Sequence, residues 1–293
     1  MIHFVSLLIY RSFCLLSALP LHVLYVISDV AYFFVYRVIR YRRKLVRENI
    51  QTSFPDKEEK EILTIEKGFY HHFCDTFFET VKMLNFSEAR MKRHFILKNH
   101  ELVEYFLSNE KDVILMAGHY GNWEWGASAG LWIKPEQNRV FGYIYRPLKN
   151  RAFDELFIRI REKFRSKGFP KNNIFREIIK LDREKKKFMI SFLSDQKPST
   201  GIATMNVNFL NRDTEVMTGT AKIARHTGAV VCYVEITKIK RSFYEGKVKL
   251  ITDNPAELTE EEITERYMKL LEKNIMKHPS YYLWSHDRKQ INI

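Results

Sequence analysis

Apolar positions divide the chain into one long amino-terminal stretch and a body in which helical and strand periodicities alternate. Residues 13–36 are almost wholly apolar, and about 24 residues at about 1.5 Å each are enough to cross a hydrocarbon core about 30 Å thick. Pro20, His22 and Asp29 interrupt the run, and an ionised Asp facing lipid is costly. Two forms stay open: a helix embedded in or lying on a membrane, or a helix buried against the body. After Pro55-Asp56, the residues Ile62, Ile65, Phe69, Phe73, Phe77, Val81 and Leu84 recur every three or four positions, which predicts a helix with one buried face. Residues 113–117 form an apolar run between Asp112 and Gly118, the pattern of a strand buried on both sides. The segment 123–132 then predicts a helix. Further strands are predicted at 140–145, 188–193, 229–236 and 247–251, and further helices at 151–167, 176–184 and 218–225. Strand and helix in alternation imply an α/β fold, a mixed and largely parallel sheet covered by helices.

Composition narrows this picture. With 45% hydrophobic and 28% charged residues in 293, the chain is globular rather than disordered, and a mean hydropathy of −0.31 excludes a polytopic membrane protein. Cys14, Cys74 and Cys232 are far apart in sequence, so neither a disulfide framework nor a zinc knuckle is predicted, and a reducing, cytoplasm-facing location fits. The net charge of +13 favours polyanionic partners. Arg37, Arg40, Arg42, Arg43, Lys44 and Arg47 cluster just after the apolar run. That is the mark of an anchor whose following domain stays in the cytoplasm, and it points to anionic membrane lipids. No nucleic-acid module is recognisable, and nucleic acid is not an expected partner. The start lacks a basic n-region, so a cleaved signal peptide is not predicted. Residues 1–44 are therefore expected to form a membrane anchor with a basic flank, and residues 45–293 the catalytic domain.

The candidate chemistry sits at the end of the 113–117 strand. Gly118-His119-Tyr120-Gly121-Asn122-Trp123-Glu124-Trp125 carries a His that can act as a general base and an acid five positions on that can fold back to orient its imidazole. The spacing alone is weak, because ten His and 35 acids in 293 residues should give about one such pair by chance. The strand-to-helix turn adds weight, since ligands of open α/β sheets bind beyond the carboxyl ends of strands. Two other readings fit less well. Gly126-Ala127-Ser128-Ala129-Gly130 matches a serine-hydrolase pattern, but Ser128 falls inside the following helix rather than on a sharp turn after the strand. A metal role for His119 and Glu124 is not expected, because no second His stands at ligand spacing.

These residues, together with Tyr143-Ile144-Tyr145-Arg146-Pro147-Leu148-Lys149-Asn150, Phe192-Leu193-Ser194-Asp195-Gln196-Lys197-Pro198 and Thr218-Gly219-Thr220-Ala221-Lys222-Ile223-Ala224, resemble the lipid A biosynthesis late acyltransferases of the lysophospholipid acyltransferase family, in versions most similar to the Bacteroidetes type. The likeness extends to Arg47-Glu48-Asn49 with Ser53-Phe54-Pro55, and to Tyr282-Leu283-Trp284-Ser285-His286, so it covers nearly the whole chain. It implies a glycerolipid acyltransferase-like fold on the bacterial inner membrane, with the active site facing the cytoplasm. It also implies transfer of a fatty acyl chain from an acyl carrier protein thioester to a hydroxyl of a lipid A precursor, with no cofactor or metal. An aminolipid or lysophospholipid acceptor is the alternative within the same chemistry, and a non-catalytic lipid-binding protein is the alternative outside it.

On this reading His119 takes the proton of the acceptor hydroxyl and Glu124 fixes the imidazole tautomer. Backbone N–H groups at Gly121 and Asn122 are the candidates for stabilising the oxyanion. Arg146 either pairs with a phosphate of the lipid or carrier or forms a surface salt bridge. Asp195 either positions the acceptor or Arg146, or caps a turn. Thr218 and Gly219 start a helix that offers an anion site or an ordinary N-cap. His71, His72, His94, His100 and His226 are expected to be structural or exposed. The basic runs 183–187 and 238–241 are solvated faces, or surfaces that dock the bilayer or the carrier.

Overall fold

The computed structural model describes residues 2–198 and 203–287. Four helices come first: α1 (Ile2–Ala18), α2 (Leu21–Phe33), α3 (Arg43–Ser53) and α4 (Glu59–Lys82). α5 (Glu88–His94) leads into β1 (Phe95–Lys98), and α6 (His100–Ser108) into β2 (Val113–Ala117). Then come β3 (Arg139–Tyr145), α7 (Arg151–Glu162), β4 (Lys167–Pro170), α8 (Ile174–Arg183), β5 (Lys187–Leu193), β6 (Thr204–Asn208) and β7 (Asp213–Met217). The body closes with α9 (Gly219–Thr227), β8 (Val230–Lys240), β9 (Phe243–Thr252) and α10 (Glu260–Lys277). Seven strands form one sheet in the order β1-β9-β8-β2-β5-β3-β4. Only the β8/β9 hairpin is antiparallel, so the sheet is mixed and largely parallel, as the alternation of periodicities predicts. β6 and β7 pair with each other outside it.

The centre of the sheet is where the hydrophobic pattern was clearest. Val113, Ile114, Leu115 and Met116 of β2 are all buried, because helices cover both faces of a strand that has parallel neighbours on each side. Boundaries moved where local chemistry overrode periodicity. α4 starts at Glu59 rather than at Pro55-Asp56, since Glu58 and Glu61 form a reciprocal capping box there. α7 ends at Glu162, and its predicted continuation to 167 gives way to β4. The predicted helix at 123–132 is a 3₁₀ run, Trp123–Trp132, lying so close to β3 that a Cβ on Gly130 would stand 3.1 Å from the Phe141 ring.

The amino-terminal apolar run is broken at Pro20, which has no N–H and holds extended backbone (φ −58°, ψ 149°), so α1 ends before it and α2 starts after it. Both helices pack on the body. Lys82 donates to the carbonyls of Ser17 and Leu19, each at 2.7 Å. The Tyr25 hydroxyl donates to Glu79 at 2.7 Å, and the Ser28 hydroxyl to Asp75 at 2.8 Å. Asp29 pairs with Arg241, which also holds Asp75. Arg241 and Lys238, expected on an open basic face, are thus committed to buried Asp75.

Burial favours the neutral form of several histidines in this framework, His71 among them. Burial pushes His72 well below its ordinary value of 6.5, helped by the Lys238 ammonium, and burial likewise lowers His94 and His286. The sign follows from linkage. Below about pH 6.5 the unfolded chain takes up protons on these rings that the folded chain refuses, so stability falls as pH falls through that window. Glu79 and Asp112, both raised by burial, work in the opposite sense with one proton each. The thermal midpoint should therefore drop by several degrees from pH 7 to pH 5, and a flat or rising midpoint in a pH series of thermal unfolding would overturn the assignment.

Candidate active site

The β2/β5 register pairs Ala117 with Leu193, so the second residue beyond each strand end, His119 and Asp195, emerges side by side. Gly118 makes the turn possible, because a Cβ there would stand 2.4 Å from the Leu271 side chain of α10. His119 Nδ1 lies 2.7 Å from Asp195 Oδ1, and the His119 backbone N–H donates to Asp195 Oδ2 at 3.2 Å. The Tyr282 hydroxyl donates to the same Oδ2 at 3.2 Å. Asp195 is fully buried and the His119 side chain is 15% exposed. A carboxylate only accepts, so the proton of the neutral imidazole sits on Nδ1 and Nε2 keeps its lone pair. The Gln196 amide nitrogen, 3.1 Å away, donates to that lone pair. Nε2 is therefore a base held ready in one tautomer, and Asp195 rather than Glu124 does the holding.

Glu124 has a different partner. Its two oxygens receive Arg161 Nε and Nη2 of α7, both at 2.7 Å, in a bidentate pair. Burial opposes the Arg161 charge, and the Glu124 carboxylate outweighs it, leaving the guanidinium above its usual range. The predicted orienting role of Glu124 is thus corrected: the 3₁₀ geometry after Asn122 turns its carboxylate toward α7. Both Glu124 and Arg161 nonetheless line the same cavity as His119.

The predicted oxyanion donors are corrected as well. Gly121, at φ +60°, gives its N–H to the Tyr281 carbonyl at 2.9 Å, and its own carbonyl accepts from His72 at 3.1 Å. Asn122 is fully buried. Its amide donates to Glu79 at 2.8 Å and its side-chain oxygen receives the Trp125 N–H. Neither residue lines the cavity; they brace the turn from behind. The carboxy-terminal segment completes the brace, with Leu283 N–H donating to the His119 carbonyl at 3.0 Å. Asn49 and Arg42 hold that segment in turn through the carbonyls of Trp284, His286 and Ser285.

His119 opens into a cavity of about 620 Å³, within the size range of sites for small organic ligands. Leu97, Leu115, Val234 and Ile236 give it apolar walls, while Arg146, Lys171 and Lys197 add cations. Arg146 lines the cavity. Gly219 and Thr220 line it too, whereas the Thr218 hydroxyl donates to the Ala203 carbonyl at 3.5 Å. Ser128 is fully buried, and its hydroxyl donates to the Trp125 carbonyl at 2.7 Å, which leaves it no base. Gln196 and Tyr282 lie inside the motif blocks, where nothing local distinguishes them from their neighbours, and Arg161 lies in a charged helix where no local signal sets it apart from Arg159.

A family model described as "Bacterial lipid A biosynthesis acyltransferase" matches residues 2–290. A protein of Escherichia coli (strain K12) named lipid A biosynthesis palmitoleoyltransferase is 23% identical over 254 residues, covering 85% of this chain and 79% of its own length. A lipid A biosynthesis acyltransferase of Shigella flexneri matches with the same identity and coverage.

Proposed function

The chain belongs to the bacterial lipid A biosynthesis acyltransferase family, and from that premise we propose that it moves a fatty acyl chain from an acyl carrier protein thioester to a hydroxyl of a lipid A precursor. The work takes place at the cytoplasmic face of the inner membrane. One observation carries the reading: a base held in a single tautomer by buried Asp195, facing a largely apolar cavity large enough for a substrate.

His119 Nε2 takes the proton of the acceptor hydroxyl as its oxygen attacks the thioester carbonyl. The Asp195 carboxylate stabilises the imidazolium that forms. Collapse of the tetrahedral intermediate breaks the carbon–sulfur bond, and the departing carrier thiolate recovers the proton from Nε2. No acyl-enzyme forms. With Gly121 committed to Tyr281, the Gln196 amide, 3.1 Å from Nε2, is our candidate for stabilising the oxyanion once the acceptor hydroxyl has displaced it from Nε2. Arg146, Lys171 and Lys197 suit phosphate groups of the acceptor or of the carrier's prosthetic arm.

The deciding measurement supplies the purified protein with an acyl carrier protein thioester and, in separate arms, a lipid A precursor, an aminolipid and a lysophospholipid. Transfer to the lipid A precursor is expected to dominate, and a preference for another lipid would move the assignment to that acceptor. Arg146→Ala should raise KM for the phosphorylated acceptor about tenfold, the cost of one charge-assisted contact, with kcat little changed. An unchanged KM would remove Arg146 from the binding site.

A further inference from the structure

Leu21–Val38 is long and apolar enough to cross a bilayer, with a mean hydropathy of 1.4 over 18 residues. Its surroundings argue against crossing. Tyr25 meets Glu79, Ser28 meets Asp75, Tyr32 stacks on His71, and Tyr36 packs on Tyr70. One number rises as the other falls, so α2 and the π-helical turn Phe34–Val38 that extends it run antiparallel to α4 along their whole length. α4 is an element of the body: it carries Glu59, Lys60, Glu61, Glu66, Lys67, Asp75, Glu79 and Lys82. A spanning α2 would have to take this charged helix to membrane depth with it, or give up every one of these contacts.

The side of α2 turned away from α4 is an apolar stripe. Val26, Val30, Phe33, Phe34 and Val38 follow helical spacing, and each is more than half exposed. Arg37, Arg40 and Lys44 are exposed at the end of that stripe. An apolar face with cations at its border matches an anionic lipid surface better than it matches a protein partner. The location fits as well. α1 packs Phe13 against Phe153 and Tyr10 beneath Arg159 on α7, and α7 also supplies Phe157 and Arg161 to the wall of the active-site cavity.

We propose that α2 lies in the plane of one membrane leaflet, its Val26–Phe34–Val38 stripe among the acyl chains and Arg37, Arg40 and Lys44 among anionic headgroups, so that the catalytic cavity sits beside the surface that holds its lipid. This rests on the membrane-bound function proposed above and adds the orientation. Cysteines placed singly at Val26, Val30 and Phe34 in a Cys14→Ser background, with a Lys57→Cys control, can carry an environment-sensitive nitrobenzoxadiazole label. Cys74 and Cys232 are buried. With vesicles of phosphatidylethanolamine and phosphatidylglycerol, the three stripe labels should shift to the blue and be quenched alike by a nitroxide at one shallow depth, while the control stays unmoved. A spanning helix would separate positions 26 and 34 by about 12 Å in depth, and such a gradient would overturn the orientation while leaving membrane binding intact. A blue shift without vesicles, together with a doubled mass, would assign the stripe to a second copy and also overturn it. Absence of any vesicle binding would sink the membrane reading itself. Val30→Asp should weaken vesicle binding about tenfold or more without lowering the thermal midpoint, since its side chain faces away from the body; unchanged binding would count against the stripe.

Discussion

Changing His119 to alanine should cut acyl transfer by about 10²–10⁴-fold, the usual worth of a positioned general base, with the thermal midpoint little changed. The loss should fall on kcat. His119 lies where the acceptor oxygen must approach, and the other carboxyl groups lining the cavity are occupied. Glu124 is bound through both oxygens by Arg161, and Asp154 accepts the Leu148 N–H at 2.8 Å. Neither can replace Nε2 without giving up a partner. Residual activity should come from positioning and oxyanion stabilisation, so KM for both substrates should stay near the wild-type value. Ser128→Ala is the matched control and should retain activity, because its buried hydroxyl does no more than close a turn. Steady-state rates with a radiolabelled acyl donor make the comparison, and equal activity of wild type and His119→Ala would remove His119 from the chemistry.

Much of this site was legible before the fold was known, and the part that was not has a physical cause. The β2 run of four fully buried residues marks a central strand by hydrophobicity alone, and a His one residue past its closing glycine then falls at the carboxyl edge of the sheet. Which acid serves that His is a question of strand pairing. Asp195 stands 76 positions away and is brought in by the β2/β5 register, which no local pattern encodes, whereas Glu124 is near in sequence and is carried off by a 3₁₀ turn. β1 and β4 are only four residues each, too short for a period-two signal, and both escaped prediction. The amino-terminal run was apolar enough to predict an anchor, but its face toward α4 is defined by Tyr25, Ser28 and Asp29, whose partners lie at 75, 79 and 241. Those polar residues look like flaws in a membrane span until the partners they bind are known.

The sharpest separation of the two acids is a pair of substitutions. Asp195→Asn should lower kcat by about 10³–10⁴-fold, the scale on which a wrongly protonated imidazole disables a general base. An asparagine amide can donate to Nδ1, which moves the ring proton to Nε2 and fills the lone pair that must accept the hydroxyl proton. The shape of the site is preserved, since the remaining amide oxygen can still take the His119 N–H or the Tyr282 hydroxyl. Nitrogen-15 spectra of labelled imidazole read this directly: the wild type should show its proton on Nδ1, and Asp195→Asn should show it on Nε2. Glu124→Gln should behave differently, because it leaves the partly buried Arg161 guanidinium without its charge partner, a loss that destabilises the α7 wall of the cavity. Activity falls there through substrate binding and a lowered thermal midpoint, and the imidazole tautomer stays as in the wild type. If Glu124→Gln moved the proton while Asp195→Asn left it in place, the nearer acid in sequence would be the orienting group after all, and the hydrogen bonds around His119 would have to rearrange when substrate binds.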